Sequence, residues 1–426
     1  MPSAEPPTLN VAIVGGGPGG LGTAIALSCL PNVQVRLYEQ ARELREIGAG
    51  INIGFNCWKI LELLGAAEGV RGHLAQGTLH RNGLSGDVLT TAPKSPLPPR
   101  YLSRRVRRTR LQSSLVAQVP PGVIHLNHRL VSLQKLERGG VQLAFENGAV
   151  AVADLVVGGD GIRSVVRQHL FPEHDIQFMG TTIWRTLIPL SSVAQIDTMG
   201  HHTNWWHGTA GHVYTTIVDD PAEAAPGDDL LFEIAARNVI DPKQAKEKRF
   251  SWGVPATNAR VLAHFTDYDP RVQDALKQVP EGGWREFSAF AGPRLQRLVG
   301  WDRVVLIGDA SHPLSGAFGS GAAFALEDGW ILAQALQYTR LSPDAITHAL
   351  EIFDQIRSPY YRRMYEFLDQ QKANVAKSAD EASRRTFDAN LAARLKAFDG
   401  QGLAWVYLND IEQVWDDYVQ SLEAKD

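Results

Sequence analysis

The chain has 426 residues, 44% of them hydrophobic and 21% charged, with 42 basic against 46 acidic side chains and a net charge of −4. That balance supplies no basic field for nucleic acid, and no run of about 18 apolar residues marks a membrane span. The length allows two or three domains around substantial cores. The two cysteines, Cys29 and Cys57, lack metal-ligand spacing, so no metal is expected. Cys29 falls in an apolar helical pattern and reads as a buried free thiol, which suits a reducing compartment. "MPSAEPPTLN" lacks the basic-then-apolar order of a secretory signal, and "SLEAKD" is no retention address. A cytoplasmic protein is expected.

"LNVAIVGGGPGGLGTAIALSCL" reads as strand, tight turn and helix. Leu9 to Val14 is a short apolar run rich in β-branched residues, as a buried parallel strand requires. Gly15, Gly17 and Gly20 then form G-x-G-x-x-G. The first permits the turn, the second lets backbone approach a pyrophosphate, and the third lets the helix pack on the strand. The helix start offers unpaired N–H groups and the positive dipole end to phosphates. A second strand, "VQVRLYEQ", carries Glu39 near its end, at the usual offset for a carboxylate that binds a ribose. An acid there favours an adenosine with a free 2′-hydroxyl, as in FAD or NAD.

A dehydrogenase would continue into another crossover. Instead "ARELREIGAGINI", residues 41–53, is a glycine-rich loop containing Arg45 and Gly50. "RRVRRTRLQSSL" brings Arg108 into a helical pattern, and "ADLVVGGDGIRSVVR" closes a buried strand on Gly159-Asp160-Gly161. Far downstream, "RVVLIGDASHP" places Asp309 at the C-terminal end of another strand. Gly319, Gly321 and Ala322 then open a further helix. No second G-x-G-x-x-G follows a strand, so a separate nicotinamide domain is not expected.

In this order, these pieces resemble the single-component FAD-dependent aromatic hydroxylases, the para-hydroxybenzoate hydroxylase superfamily. Within it, the nearest likeness is to fungal-type salicylate hydroxylase-like monooxygenases. The resemblance rests on the glycine loop with Glu39, R-x-IGAG-I at 45–51, R-x-x-L at 108–111, "DGIRSVVR" at 160–167 and "GDASHP" at 308–313. It covers residues 10 to about 335. The implied fold is α/β: a Rossmann-like FAD-binding domain with an inserted antiparallel-sheet substrate domain and a helical C-terminal segment. The expected boundaries are 1–178 and 295–345 for the two parts of the FAD domain, 179–294 for the insertion and 346–426 for the helical segment.

By the same resemblance, one extended FAD is gripped from both ends of the chain. The first glycine loop holds its ADP end, with Arg108 and Asp160 near the cofactor and Asp309 at the ribityl or phosphate region. Gly319, Gly321 and Ala322 lie by the pyrimidine edge of the isoalloxazine, and Arg45 and Gly50 lie in the loop beside it. His312 reads as a structural loop residue. The implied reaction is hydroxylation of a small salicylate- or hydroxybenzoate-like aromatic, with or without decarboxylation. NADH or NADPH supplies electrons, and O₂ reacts through a flavin C4a-hydroperoxide. No nucleic-acid or membrane partner is implied, and the chain is expected as a monomer or homodimer.

From about Thr181, aromatic-rich segments with charged turns read as strands. Arg185, in "TTIWRTLIPL", needs an anionic partner inside so apolar a strand. Either a substrate anion or a protein carboxylate answers that need. His212, Tyr214 and Thr216 alternate along "GHVYTTIV" and so share one face. The tyrosine that relatives often place for the phenolic oxygen is Thr216 here, so His212 and Tyr214 are the candidate base and donor. The W-x-W-x-I-P of flavin halogenases is not matched, because Thr186 stands at the second tryptophan. The alternative function is a flavin-dependent reductase or desaturase, or a hydroxylase acting on a polycyclic or other secondary metabolite. Beyond the last motif, "AITHALEIFDQIRSPYYRRMYEFLDQQ" has helical periodicity with i,i+4 charge pairs, read as a helical cap or dimer surface.

Overall fold

A computed structural model describes residues 8–424, apart from 45–48, 75–76, 93–94, 210, 223, 225–226, 228, 246–250, 293, 315, 317, 341, 343, 383–385 and 398–400. Its nucleotide-type half is a six-stranded sheet. In spatial order the strands are Val299–Gly300, Val304–Leu306, Leu155–Gly158, Leu9–Val14, Val33–Tyr38 and Ile124–His125. All neighbours run parallel except the Val299–Gly300 edge. The sheet's central strands Leu155–Gly158 and Val304–Leu306 are buried throughout and are runs of Val and Leu, as a strand covered on both faces requires.

Helix Pro18–Ser28 follows the first strand and packs on helix Gly321–Thr339, more than 290 residues away. Small residues set that approach. A methyl group added at Gly22 would lie 2.4 Å from Leu326 Cδ2, and one at Gly329 2.2 Å from Thr23 Oγ1. The distant ends of the chain thus form one layer. Cys29 corrects its sequence reading: the helix ends at Ser28, and Cys29 is exposed at the cap, whereas Cys57 is buried.

The second half is an eight-stranded sheet. Its spatial order is Trp252–Ala256, Trp284–Ala291, Gln177–Pro189, Leu231–Val239, Gly211–Ile217, Thr203–His207, Thr78–Asn82 and Val88–Thr91. Pairing is antiparallel except between Thr203–His207 and Thr78–Asn82. Strands from residues 78–91 therefore complete a sheet built mainly by the expected insertion. One face buries Trp184, Trp206, Val213, Phe232, Ile234 and Trp284 in a core shared with Val272, Ala275 and Leu276 of helix Pro270–Lys277. The opposite face carries polar and aromatic side chains.

A small sheet of Gly50–Ile53, Arg104–Arg107 and His73–Leu74 is interleaved in sequence with strands of both larger sheets. Helices Ala345–Ala382, Phe387–Ala397 and Ile411–Glu423 close the chain. Among the described residues, no helix is long and apolar enough to cross a membrane.

Candidate active site

The first glycine loop is built for contact with something other than protein. Gly15 has φ +105°, and a Cβ there would lie 2.4 Å from the Gly159 carbonyl oxygen. At Gly20 it would lie 1.9 Å from the Gly15 oxygen. Strand, turn and helix therefore tolerate no side chain at either place. A Cβ at Gly17, by contrast, would meet nothing within 4 Å, and the same is true at Gly161 and Gly319. Backbone from three separate segments thus faces open space. Side-chain-free backbone at the start of a helix leaves phosphates room to approach its N–H groups.

Glu39 closes one side of this groove. Its Oε2 accepts from Gly16 N–H at 2.6 Å and its Oε1 from Ala41 N–H at 2.7 Å. Both oxygens are fixed and each keeps a lone pair for a further donor. Asp160 is committed differently. It accepts from Ser164 Oγ, from Val165 N–H at 2.7 Å and from Val166 N–H at 3.2 Å, so its carboxylate caps the following helix while Gly161 faces the groove.

Asp309 stands in a turn whose other members, Gly308, Ala310, Ser311 and His312, are buried, while its own side chain is open to solvent. Burial of its surroundings raises its pKa, and Arg108 and Arg167 oppose the rise. Arg167 ties the two downstream loops together. Its Nη1 donates to Ala310 O at 2.9 Å and Asp309 O at 3.3 Å, and its Nη2 to Ile162 O at 2.5 Å. Arg108 heads helix Arg108–Val116, its backbone N–H on Ala49 O at 3.0 Å. Gly321 begins the 19-residue helix, with Asp309 Oδ1 3.9 Å from where its Cβ would be. Ala322 follows it in the first turn. The positive end of a long helix and Asp309 therefore border the same space. Arg45 lies outside the described residues.

The polar face of the large sheet meets the segment at Gly50. Its centre is a buried carboxylate, Glu233, held between two arginines. Arg185 Nη2 donates to Glu233 Oε1 at 2.6 Å, and Arg105 Nε donates to Oε2 at 2.7 Å. Gly50 N–H adds a bond to Oε1 at 3.1 Å, and Gly50 O accepts from Arg185 Nη2. A Cβ at Gly50 would lie 2.3 Å from Glu233 Oε2, so the loop can dock here only as glycine. Burial alone would raise the Glu233 pKa, but Arg105 and Arg185 hold it at about 2. Arg185 thus has a protein carboxylate as partner, and its Nη1 has no hydrogen-bond partner among the described residues.

Beside the ion cluster, His212, Tyr214 and Thr216 do share a face. Their antiparallel partners are Arg237, Ala235 and Glu233 on one side, and on the other His207 and Trp205 pair with His212 and Tyr214. The Tyr214 ring lies under the Arg105 guanidinium at 5.1 Å and against Trp205 at 4.7 Å. Burial raises the Tyr214 pKa, so it stands as a neutral hydroxyl donor. Thr216 is fully buried and meets Thr203 Oγ1 at 2.7 Å. The adjacent tryptophans split: Trp206 is in the core, and Trp205 lies among His80, His207, His212 and Tyr214. His80 Nδ1 meets His207 Nε2 at 3.1 Å, and burial lowers the His80 pKa. His312 is buried, stacked on Tyr361 at 3.7 Å.

Sequence reasoning missed Glu233, Arg105, Arg167, His80 and His207. Glu233 had a signal: an acid inside the apolar run "LFEIAARNV" needs a partner for the same reason as Arg185. His80 had none, because only the parallel pairing of Trp205 with His80 brings it to this face.

Comparison with known proteins places the chain in a family. The family described as FAD binding domain matches residues 8–367. A 6-hydroxynicotinate 3-monooxygenase of Bordetella bronchiseptica is 29% identical over 80% of this chain and 86% of its own length. An FAD-dependent monooxygenase of Hypocrea jecorina is 30% identical over 77% of this chain and 75% of its own. The solved structure of a salicylate hydroxylase substrate complex superposes with a TM-score of 0.74 at 23% identity, covering 95% of this chain and 97% of that one.

Proposed function

Since the chain belongs to the FAD binding domain family, we propose that it is an FAD-dependent monooxygenase that inserts one oxygen atom of O₂ into a small aromatic ring. The observation that carries this reading is the Gly15–Gly20 turn fixed by Glu39, with the Asp309 turn beside the start of helix Gly321–Thr339, in a chain whose large sheet bears Arg185, His212 and Tyr214 on one face. The residues fit the cofactor. Gly15, Gly17, Gly20 and Glu39 would hold its ADP end, Asp309 its ribityl chain, and the Gly319–Ala322 segment its ring. Gly50, Arg108 and Asp160, at the start of a strand, the start of a helix and the turn after Leu155–Gly158, would border it. When bound there, FAD would supply the redox chemistry, accepting electrons from NADH or NADPH and passing them to O₂.

The protein supplies orientation and charge. The helix beginning at Gly321 stabilises negative charge on the reduced ring through its dipole. Tyr214 donates a hydrogen bond to the substrate oxygen, and His212 takes the phenolic proton, which makes the ring electron-rich. Arg185, held by Glu233, offers Nη1 to a substrate carboxylate or phenolate. The substrate class is a hydroxybenzoate or a hydroxylated aza-aromatic acid. Attack at the carboxylate-bearing carbon releases CO₂; attack at a vacant carbon does not.

The test is NADH and NADPH oxidation by the purified protein across hydroxybenzoates and hydroxypyridine carboxylates, with product mass spectrometry. A hydroxylated product formed without a partner reductase is expected. Arg185→Ala should abolish the preference for an acid over its carboxamide. Retention of that preference would leave Arg185 as Glu233's partner alone.

A further inference from the structure

The most extensive buried charge cluster away from the sheet face lies behind the Gly308–His312 turn. Glu327 and Asp328, on helix Gly321–Thr339, meet Arg357 and Tyr361 from helix Ala345–Ala382, and all four are buried. Arg357 Nε donates to Asp328 Oδ1 at 2.6 Å, and its Nη2 donates to Glu327 Oε2 at 3.2 Å. Tyr361 O–H donates to the same Asp328 Oδ1 at 2.8 Å. The other Asp328 oxygen, Oδ2, accepts from Gly308 N–H at 2.8 Å. Gly308 has φ +56° and is the residue from which the chain turns to present Asp309.

The two carboxylates have different tasks. Asp328 grips the turn with one oxygen while Arg357 and Tyr361 hold the other. Glu327 touches Arg357 and accepts from Asn409 Nδ2 at 3.0 Å, with no bond to the turn. Tyr361 also stacks on His312 at 3.7 Å, so it touches one end of the turn directly and reaches the other through Asp328. A network that served only to glue helices would have no reason to spend its best-held carboxylate on a loop amide.

We propose that Asp328, clamped by Arg357 and Tyr361, is the positioning residue of the Asp309 turn, so that cofactor affinity is set in part from helix Ala345–Ala382. The inference rests on the reading of the groove as an FAD site. Asp328 fixes the Gly308 N–H, the N–H fixes the turn, and the turn aims the Asp309 carboxylate into the groove. Arg357 neutralises a carboxylate that would otherwise be buried as an unpaired charge.

The experiment is titration of each apoprotein with FAD by flavin fluorescence, with melting temperature recorded separately. Asp328→Ala and Arg357→Met should weaken FAD binding by about tenfold or more, the scale of a lost charge-assisted bond. Tyr361→Phe, which removes one hydroxyl and should fold normally, should weaken it by about threefold. Glu327→Gln, in the same cluster without a bond to the turn, should stay within about twofold of wild type, whatever its melting temperature. If Arg357→Met does not fold, the contrast of Tyr361→Phe with Glu327→Gln decides. Equal FAD affinity in all folded variants, with only melting temperatures changed, overturns the inference and leaves the family reading standing. A wild-type apoprotein that takes up no FAD overturns both.

Discussion

The two walls of the site are made of different material. The cofactor wall is backbone: Gly15 and Gly20 exclude side chains by contact, and Gly17, Gly161 and Gly319 leave open space. The proposed substrate wall is side chains, with Arg185, Glu233, Tyr214, Trp205 and His80 drawn from five strands of one sheet. Backbone walls are generic, because every FAD presents the same phosphates and ribose. Side-chain walls can change with the substrate while the sheet stays intact.

The contrast breaks most visibly at Glu233. Glu233→Ala leaves Arg105 and Arg185 buried without their shared counter-charge and should cost about 3–5 kcal/mol in denaturant unfolding. A loss below about 1 kcal/mol would mean that the cluster is not the keystone of the wall. The same carboxylate sets an acid limit. Its folded pKa of about 2 lies below the ordinary value of 4.5, so its stabilisation is fully present above that value. It is lost as pH falls from there towards 2, a span worth about 3 kcal/mol. Wild type should lose stability over this window, and Glu233→Gln should show a shallower slope.

On the backbone wall, Gly15→Ala adds a clash with Gly159 O in a positive-φ turn and should cost about 1–3 kcal/mol, with loss of bound FAD. Asp309→Ala removes a side chain already open to solvent. FAD retention should fall about tenfold with the melting temperature nearly unchanged. The smallest effect is expected at Tyr214. Tyr214→Phe keeps the ring under Arg105 and should leave FAD affinity unchanged, while product formed per NAD(P)H oxidised falls. The hydroxyl accounts for about 1 kcal/mol. Unchanged coupling would remove Tyr214 from the reaction.

The same division explains what could be read from sequence. A turn that must pass a pyrophosphate needs glycine at fixed spacing, so Gly15, Gly17, Gly20 and the Asp309 turn announce themselves in the chain. The alternation of His212, Tyr214 and Thr216 was legible because a strand has period two. The partners across the sheet were not legible. Glu233 lies 48 residues from Arg185 and His80 lies 127 from His207, and only the register of distant strands brings them together. In the doublet Trp205-Trp206, adjacent strand residues point to opposite faces, which sends Trp206 to the core and Trp205 to the polar face. Nor could sequence tell that Arg185 meets a protein carboxylate. The need for an anion was plain, and its source was a matter of tertiary pairing.

The central claim is that the two walls together carry an oxygen-inserting reaction. Turnover of an aromatic acid under ¹⁸O₂ in ordinary water, followed by mass spectrometry of the product, tests it most directly. The account predicts a product carrying one ¹⁸O atom. A product whose new oxygen comes from water, or NAD(P)H consumption that yields only peroxide with every aromatic acid offered, would contradict it.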